Sequence, residues 1–181
     1  PGVFFDQSIH PNGTKLFPGR IIPFRGSWVD FTTDINDCIF CIIDRRRKFP
    51  VTMLLRALGF STNADIFKAF NCIEKVKVNS KDIDAMIGST VVEDIIDQET
   101  GEIFMEGGSE LLQENIDELK KAKIESVEIV NQNKDFHSMM LLNTMQKDPS
   151  KNTEESLSIV YQLLRSGEPP NLETAQKFID R

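Results

Sequence analysis

Short apolar runs separated by turn-forming residues predict β-strands across the first fifty residues. Each run has the length and the β-branched or aromatic content that is typical of a strand. The four clearest runs are Val3 to Phe5, Arg20 to Phe24, Trp28 to Thr32 and Cys38 to Ile43. Because Pro, Asn, Asp and Gly fill the gaps between them, we expect mostly antiparallel strands joined by turns.

The spacing of apolar residues becomes helical at Pro50. A helix face at i, i+3, i+4 and i+7 is formed by Val51, Leu54, Leu55 and Leu58. Gly59 stands just past the end of this predicted helix. A second short helix is expected to begin at Ser61 or Thr62, with Ile66, Phe67 and Phe70 facing the core. The alternation from Ile73 to Val78 then predicts a further strand.

Residues 79–132 are predicted to form a small inserted module. Val91 to Ile96 and Glu102 to Met105 flank a turn that ends in Gly101, which is a hairpin pattern. A helix face and a closing strand follow, formed by Leu112, Ile116 and Leu119 and by the alternation from Ile124 to Val130. The module is acidic, and we expect residues 1–78 and 133–181 to form the main domain around it.

The last fifty residues are predicted to be helical. The first helix covers Phe136 to Gln146 and ends before Asp148-Pro149. The second has an apolar face made of Leu157, Val160, Tyr161 and Leu164, and the third begins at Asn171. The predicted fold class is therefore α+β, with mixed antiparallel strands in the N-terminal part, a helical C-terminal part and a small inserted hairpin-helix-strand module.

Charge limits the kinds of partner that this chain can bind by itself. The 181 residues carry 21 Lys and Arg against 28 Asp and Glu, a formal net charge of −7. Autonomous nonspecific DNA binding depends on neutralising phosphates with cations, so any DNA contact must use a local basic cluster or be supplied mostly by a larger assembly. No apolar run approaches the roughly 18 residues of a membrane span, and no signal-peptide pattern opens the chain. Since Pro1 is not an initiator residue, we expect a segment of a longer protein, and the odd number of cysteines favours a reducing compartment such as the cytoplasm.

The three cysteines suggest a buried, reduced role. Cys38 and Cys41 form a C-x-x-C motif, and Cys72 stands alone. The motif lies in an apolar β-branched run, where residues three apart point to opposite faces. No second C-x-x-C or His pair completes a zinc site. Core cysteines are the favoured interpretation, and a thiol oxidoreductase is the enzymatic alternative.

The strongest local signal is the basic run Asp44-Arg45-Arg46-Arg47-Lys48, which has a net charge of +3. Arginine forks fit phosphate and stack on bases, and Asp44 can orient an arginine or accept from a base amino group. Trp28, the one tryptophan, can stack on an unpaired base. The alternatives are a solvated turn for the basic run and a core position for Trp28.

Catalytic patterns are weak. His10 and His137 are the two histidines, and neither has a partner at metal-ligand or triad spacing. No G-x-S-x-G, H-E-x-x-H or P-loop motif is present. We therefore expect no catalytic or metal-binding residue in this segment.

Several motifs resemble the β-subunit family of bacterial RNA polymerases, in its lobe, the second domain. They are PGVFF at 1–5, RIIPFRGSWVDF at 20–31, IDRRRKFP at 43–50, LLRALG at 54–59, KDP at 147–149 and RSGEPP at 165–170. Their order and spacing hold over nearly the whole chain. Two positions depart from the family pattern, because Ser166 stands where Pro is usual and Gln146 where Arg is common.

The resemblance implies a lobe at one jaw of the polymerase cleft that helps enclose downstream duplex and the non-template strand. It implies that Trp28 stacks on a non-template base and that Asp44 and Arg45 lie beside the same strand. Arg46, Arg47, Lys48 and Arg165 are further DNA-binding candidates. The implied partners are DNA, the other polymerase subunits and sigma factor. The catalytic Mg of the assembled nucleotidyltransferase would lie on another subunit, and no cofactor is expected here.

Two further hypotheses stay open beside the DNA-contacting lobe. The acidic residues 79–132 and the helical tail could form a protein-interaction module that docks initiation or regulatory factors. The C-x-x-C motif leaves the thiol oxidoreductase as a third. Whether Trp28 and Arg45 share an exposed face decides between the DNA-contacting lobe and the alternatives of a core tryptophan and a solvated basic turn.

Overall fold

The computed structural model of the chain describes residues 1–97, 100–130, 136–167, 169 and 171–180. These residues form two compact units: Pro1–Thr62 with Met140–Arg181, and Asn63–Met139. The tip of the predicted hairpin at 98–99, the end of the predicted module at 131–132 and parts of the motif at 165–170 lie outside the described residues.

The first unit is built on a five-stranded antiparallel sheet with the strand order β1-β4-β5-β6-β7. A separate short hairpin pairs β2 with β3. The strands are β1 (Gly2–Phe5), β2 (Ser8–Ile9), β3 (Lys15–Leu16), β4 (Gly19–Ile22), β5 (Val29–Thr33), β6 (Ile39–Ile43) and β7 (Phe49–Pro50). The prolines and glycines between the apolar runs end each strand, so neighbouring strands in sequence become neighbours in the sheet.

Helices cover one face of this sheet. They are α1 (Val51–Ala57), α4 (Phe136–Lys147) from Met140 onward, α5 (Thr153–Leu164) and α6 (Leu172–Ile179). Helices α2 (Asn63–Ala69) and α3 (Gln113–Lys121) belong to the second unit. The core is the cluster Cys41, Phe49, Met53, Ala57, Leu157, Val160, Tyr161, Leu164 and Ala175. Asn152 caps α5 through the Glu155 N–H, and Asn171 caps α6 through two N–H groups. The apolar stripes of α1 and α5 thus pack on the strand face that carries Cys41.

A buried polar network ties α1 to the residues before α5. The side chain of Asp148 is fully buried and accepts from Arg56 Nε at 3.3 Å and from the Thr52 hydroxyl at 2.7 Å. Its other oxygen accepts from the Ser150 N–H at 2.9 Å and from the Ser150 hydroxyl. Arg56 also donates to the Ser61 carbonyl. Because each of these groups is paired, the charges are tolerated in the interior.

The second unit has a core of its own. Its elements are α2 (Asn63–Ala69), β8 (Ile73–Lys77), a 3-10 helix (Lys81–Met86), β9 (Thr90–Val91), β10 (Ile95–Ile96), β11 (Ile103–Met105), α3 (Gln113–Lys121) and β12 (Ser126–Val130). β12 lies between β8 and β9 in an antiparallel sheet, and β10 pairs with β11. The core cluster is Val76, Val78, Ile83, Val91, Met105, Leu111, Ile116, Leu119, Val127 and Ile129.

The α+β class predicted from the sequence is confirmed, and several local predictions are wrong. Leu58 and Leu112 were assigned to apolar helix faces but are exposed, because α1 ends at Ala57 and α3 begins at Gln113. The predicted strand Val91 to Ile96 is divided, because Thr90–Val91 pairs with β12 whereas Ile95–Ile96 pairs with β11. Phe70 was expected to face the core and is 52% exposed, since α2 ends at Ala69 and Phe70 leaves its apolar face. Residues 79–132 fall within the second unit, where β8 pairs with β12.

In the part of the chain that the structure describes, no helix combines the length and the apolar character that crossing a bilayer requires.

Candidate nucleic-acid interface

Trp28 lies immediately before β5, on the sheet face opposite the core. Phe31 of β5 and Cys41 of β6 face the core. Because successive residues of a strand point to opposite faces, their neighbours Asp30 and Ile42 point outward. The outward residue Asp30 pairs with Arg20 of β4 and with Ile42 of β6. Trp28 is two residues from Asp30 and therefore continues the same outward row.

Arg20 approaches Trp28 from the β4 side. Its guanidinium forms an ion pair with Asp30 through Nε and a second bond from Nη2 at 3.2 Å. The guanidinium carbon lies 5.3 Å from the centroid of the Trp28 ring, within cation–π range. The hydrogen bond and the charge of Asp30 raise the pKa of Arg20 above its usual value. Arg20 is therefore a fixed cation against the indole.

Arg45 approaches Trp28 from the other side, out of the turn between β6 and β7. Asp44 and Arg45 have φ values of 53° and 56°, and the Arg46 N–H donates to the Ile43 carbonyl at 3.0 Å. Two successive positive φ values are typical of a tight type I′ turn. The Asp44 N–H donates to the Trp28 carbonyl at 3.0 Å, which extends the ladder between β5 and β6 by one pair.

This turn brings the Arg45 guanidinium carbon to 5.9 Å from the Trp28 ring centroid. A left-handed conformation costs about 1–3 kcal/mol for a residue other than glycine. The structure maintains it at two adjacent residues beside an exposed aromatic ring. Such strain is found at functional sites more often than elsewhere, where it fixes the direction of a side chain.

The resulting site, which we call the Trp28 cluster, consists of Trp28, Arg20, Asp30 and Arg45. The indole is 39% exposed, so the core alternative for this tryptophan is wrong. Arg20 comes from β4 on one side of β5, and Arg45 comes from the turn that follows β6 on the other side. An exposed ring offers a stacking surface for a base, and adjacent guanidinium groups offer contacts to phosphate or to base edges.

The structure separates the remaining candidate residues into two places. Asp44, Arg46 and Arg47 are exposed in the same turn as Arg45. Lys48 is exposed at the end of that turn, with its Nζ 4.7 Å from the centroid of the Phe40 ring. Arg165 follows α5 and lies 5.3 Å from the Phe178 ring of α6. The structure thus places Arg45 against Trp28, Lys48 against Phe40 and Arg165 on a different element.

Sequence reasoning missed Arg20 as a site residue. It lies eight residues before Trp28, and its place depends on the register that sets Arg20 opposite Asp30. The signal that could have found it is the pair of opposite charges on two predicted neighbouring strands. A one-residue change of register would have turned Arg20 to the other face.

The cysteines have the properties of core residues. Cys38 and Cys41 are 1% and 0% exposed, and both are free thiols. Burial raises the pKa of Cys41 to about 12, and burial also raises the pKa of Cys38. A redox nucleophile needs an accessible thiolate at neutral pH, so these thiols do not support the oxidoreductase hypothesis. Among the residues described, no three His, Cys, Asp or Glu side chains are grouped so as to hold a metal ion.

A family profile described as RNA polymerase Rpb2, domain 2, matches residues 1–123. The chain belongs to this family. The whole chain is 37% identical to the DNA-directed RNA polymerase subunit beta of Flavobacterium psychrophilum and 40% identical to that of Christiangramia forsetii. The corresponding subunit of Bacteroides fragilis is 39% identical over 99% of the chain.

The chain spans 16% of the length of these relatives. It is therefore similar to a segment of the β subunit, and the family resemblance predicted from the sequence motifs is confirmed.

Proposed function

We propose that this chain is the lobe of a bacterial RNA polymerase β subunit, which contacts unpaired non-template DNA and helps enclose the downstream duplex. The single observation that carries the proposal is the exposed indole of Trp28 with the Arg45 guanidinium at 5.9 Å from its ring. The lobe would act within the nucleotidyltransferase without a catalytic residue of its own. The metal chemistry would come from Mg held elsewhere in the assembly.

The chemistry of the cluster favours an unpaired strand over a duplex. In a duplex, both faces of a base are covered by its neighbours, whereas an unpaired base presents a free face to an aromatic ring. Arg45 has no ion pair with any residue that the structure describes, so its charge is available to a phosphate. Arg20, by contrast, is engaged with Asp30 and orients the indole.

The local charge is compatible with this partner although the chain is acidic. Residues 44–48 carry four cations and one carboxylate, all exposed. A single turn of this kind supplies few phosphate contacts, so the isolated chain would bind weakly, and the binding would weaken further as salt is raised. The other subunits and sigma factor would supply the remaining contacts and hold the DNA near the lobe.

A second candidate function is a docking surface for initiation or regulatory factors on the second unit. The observation in its favour is a cross-strand pair of isoleucines on the β10–β11 hairpin. Ile96 and Ile103 face each other in the register and are 50% and 53% exposed. The two functions use different surfaces and are compatible with each other.

The proposed function is tested by Trp28→Ala in polymerase assembled with the full β subunit. Loss of one stacked base costs about 1–3 kcal/mol, so we expect the lifetime of the promoter open complex to fall by roughly 5- to 150-fold. The lifetime is measured by competitor challenge. Trp28→Phe retains an aromatic face and should restore most of it.

Phe60→Ala is the matched control, because Phe60 is an aromatic residue of the same unit with 38% exposure. Its open-complex lifetime should match that of the parent enzyme. If Trp28→Ala polymerase forms open complexes of normal lifetime and normal footprint, the stacking role is wrong.

A further inference from the structure

A second cation–aromatic pair lies on the same sheet face as the Trp28 cluster. In the register of β5 and β6, Thr32 pairs with Phe40 and Asp30 pairs with Ile42. Residues two apart share a face, so Phe40 lies in the same outward row as Ile42 and Asp30. The Phe40 ring is partly exposed, and Lys48 Nζ lies 4.7 Å from its centroid.

The two aromatic rings stand at opposite ends of this row. The Trp28 carbonyl accepts a backbone hydrogen bond from the Asp44 N–H, so Trp28 lies opposite Asp44. Phe40 lies on β6, four residues before Asp44. At about 3.3 Å per residue, the separation along the strand is roughly 13 Å. Stacked nucleotides rise about 3.4 Å each, so this distance corresponds to a few nucleotides of one strand.

Two carboxylates of this row, those of Asp30 and Asp34, are already engaged by other groups. Asp30 is paired with Arg20. Asp34 accepts from the Asn36 and Cys38 N–H groups, both at 2.9 Å. Burial would raise the pKa of Asp34, but these hydrogen bonds and the charge of Lys48 lower it below its usual value. Lys48 itself forms no ion pair with a described residue, so its ammonium group can meet a phosphate.

We propose that Phe40 and Lys48 form a second contact for the same unpaired strand, with the ring under a base and the ammonium group on a phosphate. This inference rests on the proposed function and extends it from a single stacked base to a short track along β5 and β6. The occupant is single-stranded nucleic acid, because aromatic rings with adjacent cations recognise base faces and phosphates together.

Site-specific photocrosslinking in the assembled polymerase tests the track. Phe40→p-benzoylphenylalanine and Trp28→p-benzoylphenylalanine are introduced separately, and each enzyme is bound to a fork-junction template with an unpaired non-template strand. We expect both positions to crosslink to that strand, at nucleotides about two to four apart. Phe60→p-benzoylphenylalanine is the control and should give no DNA crosslink.

The outcomes separate this inference from the proposed function. If position 28 crosslinks and position 40 does not, or position 40 crosslinks only to protein or duplex, the track is wrong and the Trp28 role survives. If neither position crosslinks in enzyme that melts the template, both proposals fail. If position 60 crosslinks as well as position 40, the contact is not specific and the track is again wrong.

Discussion

Asp148→Ala should lower the free energy of unfolding of the first unit by about 3–5 kcal/mol. The substitution leaves the Arg56 guanidinium buried at 4% side-chain exposure without its carboxylate. It also removes the acceptor of the Thr52 hydroxyl, which is itself 0% exposed. The cost comes from burying the Arg56 charge without the Asp148 carboxylate and the Thr52 hydroxyl without its acceptor, and it exceeds the net contribution of most ion pairs.

Urea unfolding followed by tryptophan emission measures this effect, because Trp28 is the single tryptophan and belongs to the same unit as Asp148. The matched control is Glu173→Ala, which removes an ion pair with Lys177 whose side chains are 77% and 69% exposed. The control should unfold almost like the parent, since exposed pairs contribute little. Equal midpoints for Asp148→Ala and the parent would show that the network does not stabilise the unit.

Ile129→Ala should destabilise the second unit by about 2–5 kcal/mol. Ile129 is 0% exposed in β12, the central strand of the three-stranded sheet, and belongs to the core cluster of that unit. Truncation removes three methyl or methylene groups from a site enclosed by other strands and by α3. The surroundings can close such a cavity only in part, so the lost contacts are not recovered.

Hydrogen exchange of the β8 and β12 amides measures this loss directly. In Ile129→Ala these amides should exchange at least 30-fold faster than in the parent chain, which corresponds to about 2 kcal/mol of opening free energy. Ile103→Ala is the control, because Ile103 is 53% exposed on β11. Unchanged protection in Ile129→Ala, or the same acceleration in the control, would contradict the assigned core.

Local sequence patterns were sufficient for most of the elements. The strands β1, β4, β5 and β6 lie within about two residues of the apolar runs that predicted them. Alternation and turn residues are properties of a few neighbouring positions, so they can be read without knowledge of the fold. Where the pattern was continuous but the pairing was not, as between Val91 and Ile96, the prediction failed because strand partners are chosen by distant residues.

The contrast between local patterns and distant pairing also explains what could be predicted at the Trp28 cluster. Trp28 immediately precedes β5 and Arg45 follows β6, and these two strands form one hairpin, so their meeting could be expected from the order of the elements. The register that adds Arg20 is not visible in any local pattern. The Arg56–Asp148 pair joins residues 92 positions apart, and only the packing of α1 on α5 brings them together.

The most direct measurement of the central claim is the emission of Trp28 in the 181-residue chain during titration with DNA. Because Trp28 is the single tryptophan, the signal comes from the cluster alone. We expect an unpaired oligonucleotide to quench the emission progressively at low salt, with quenching lost as salt is raised, and the same sequence as a duplex to quench far less. Equal quenching by duplex and single strand, or none by either while assembled polymerase shows no Trp28 effect, would contradict stacking of an unpaired base on Trp28.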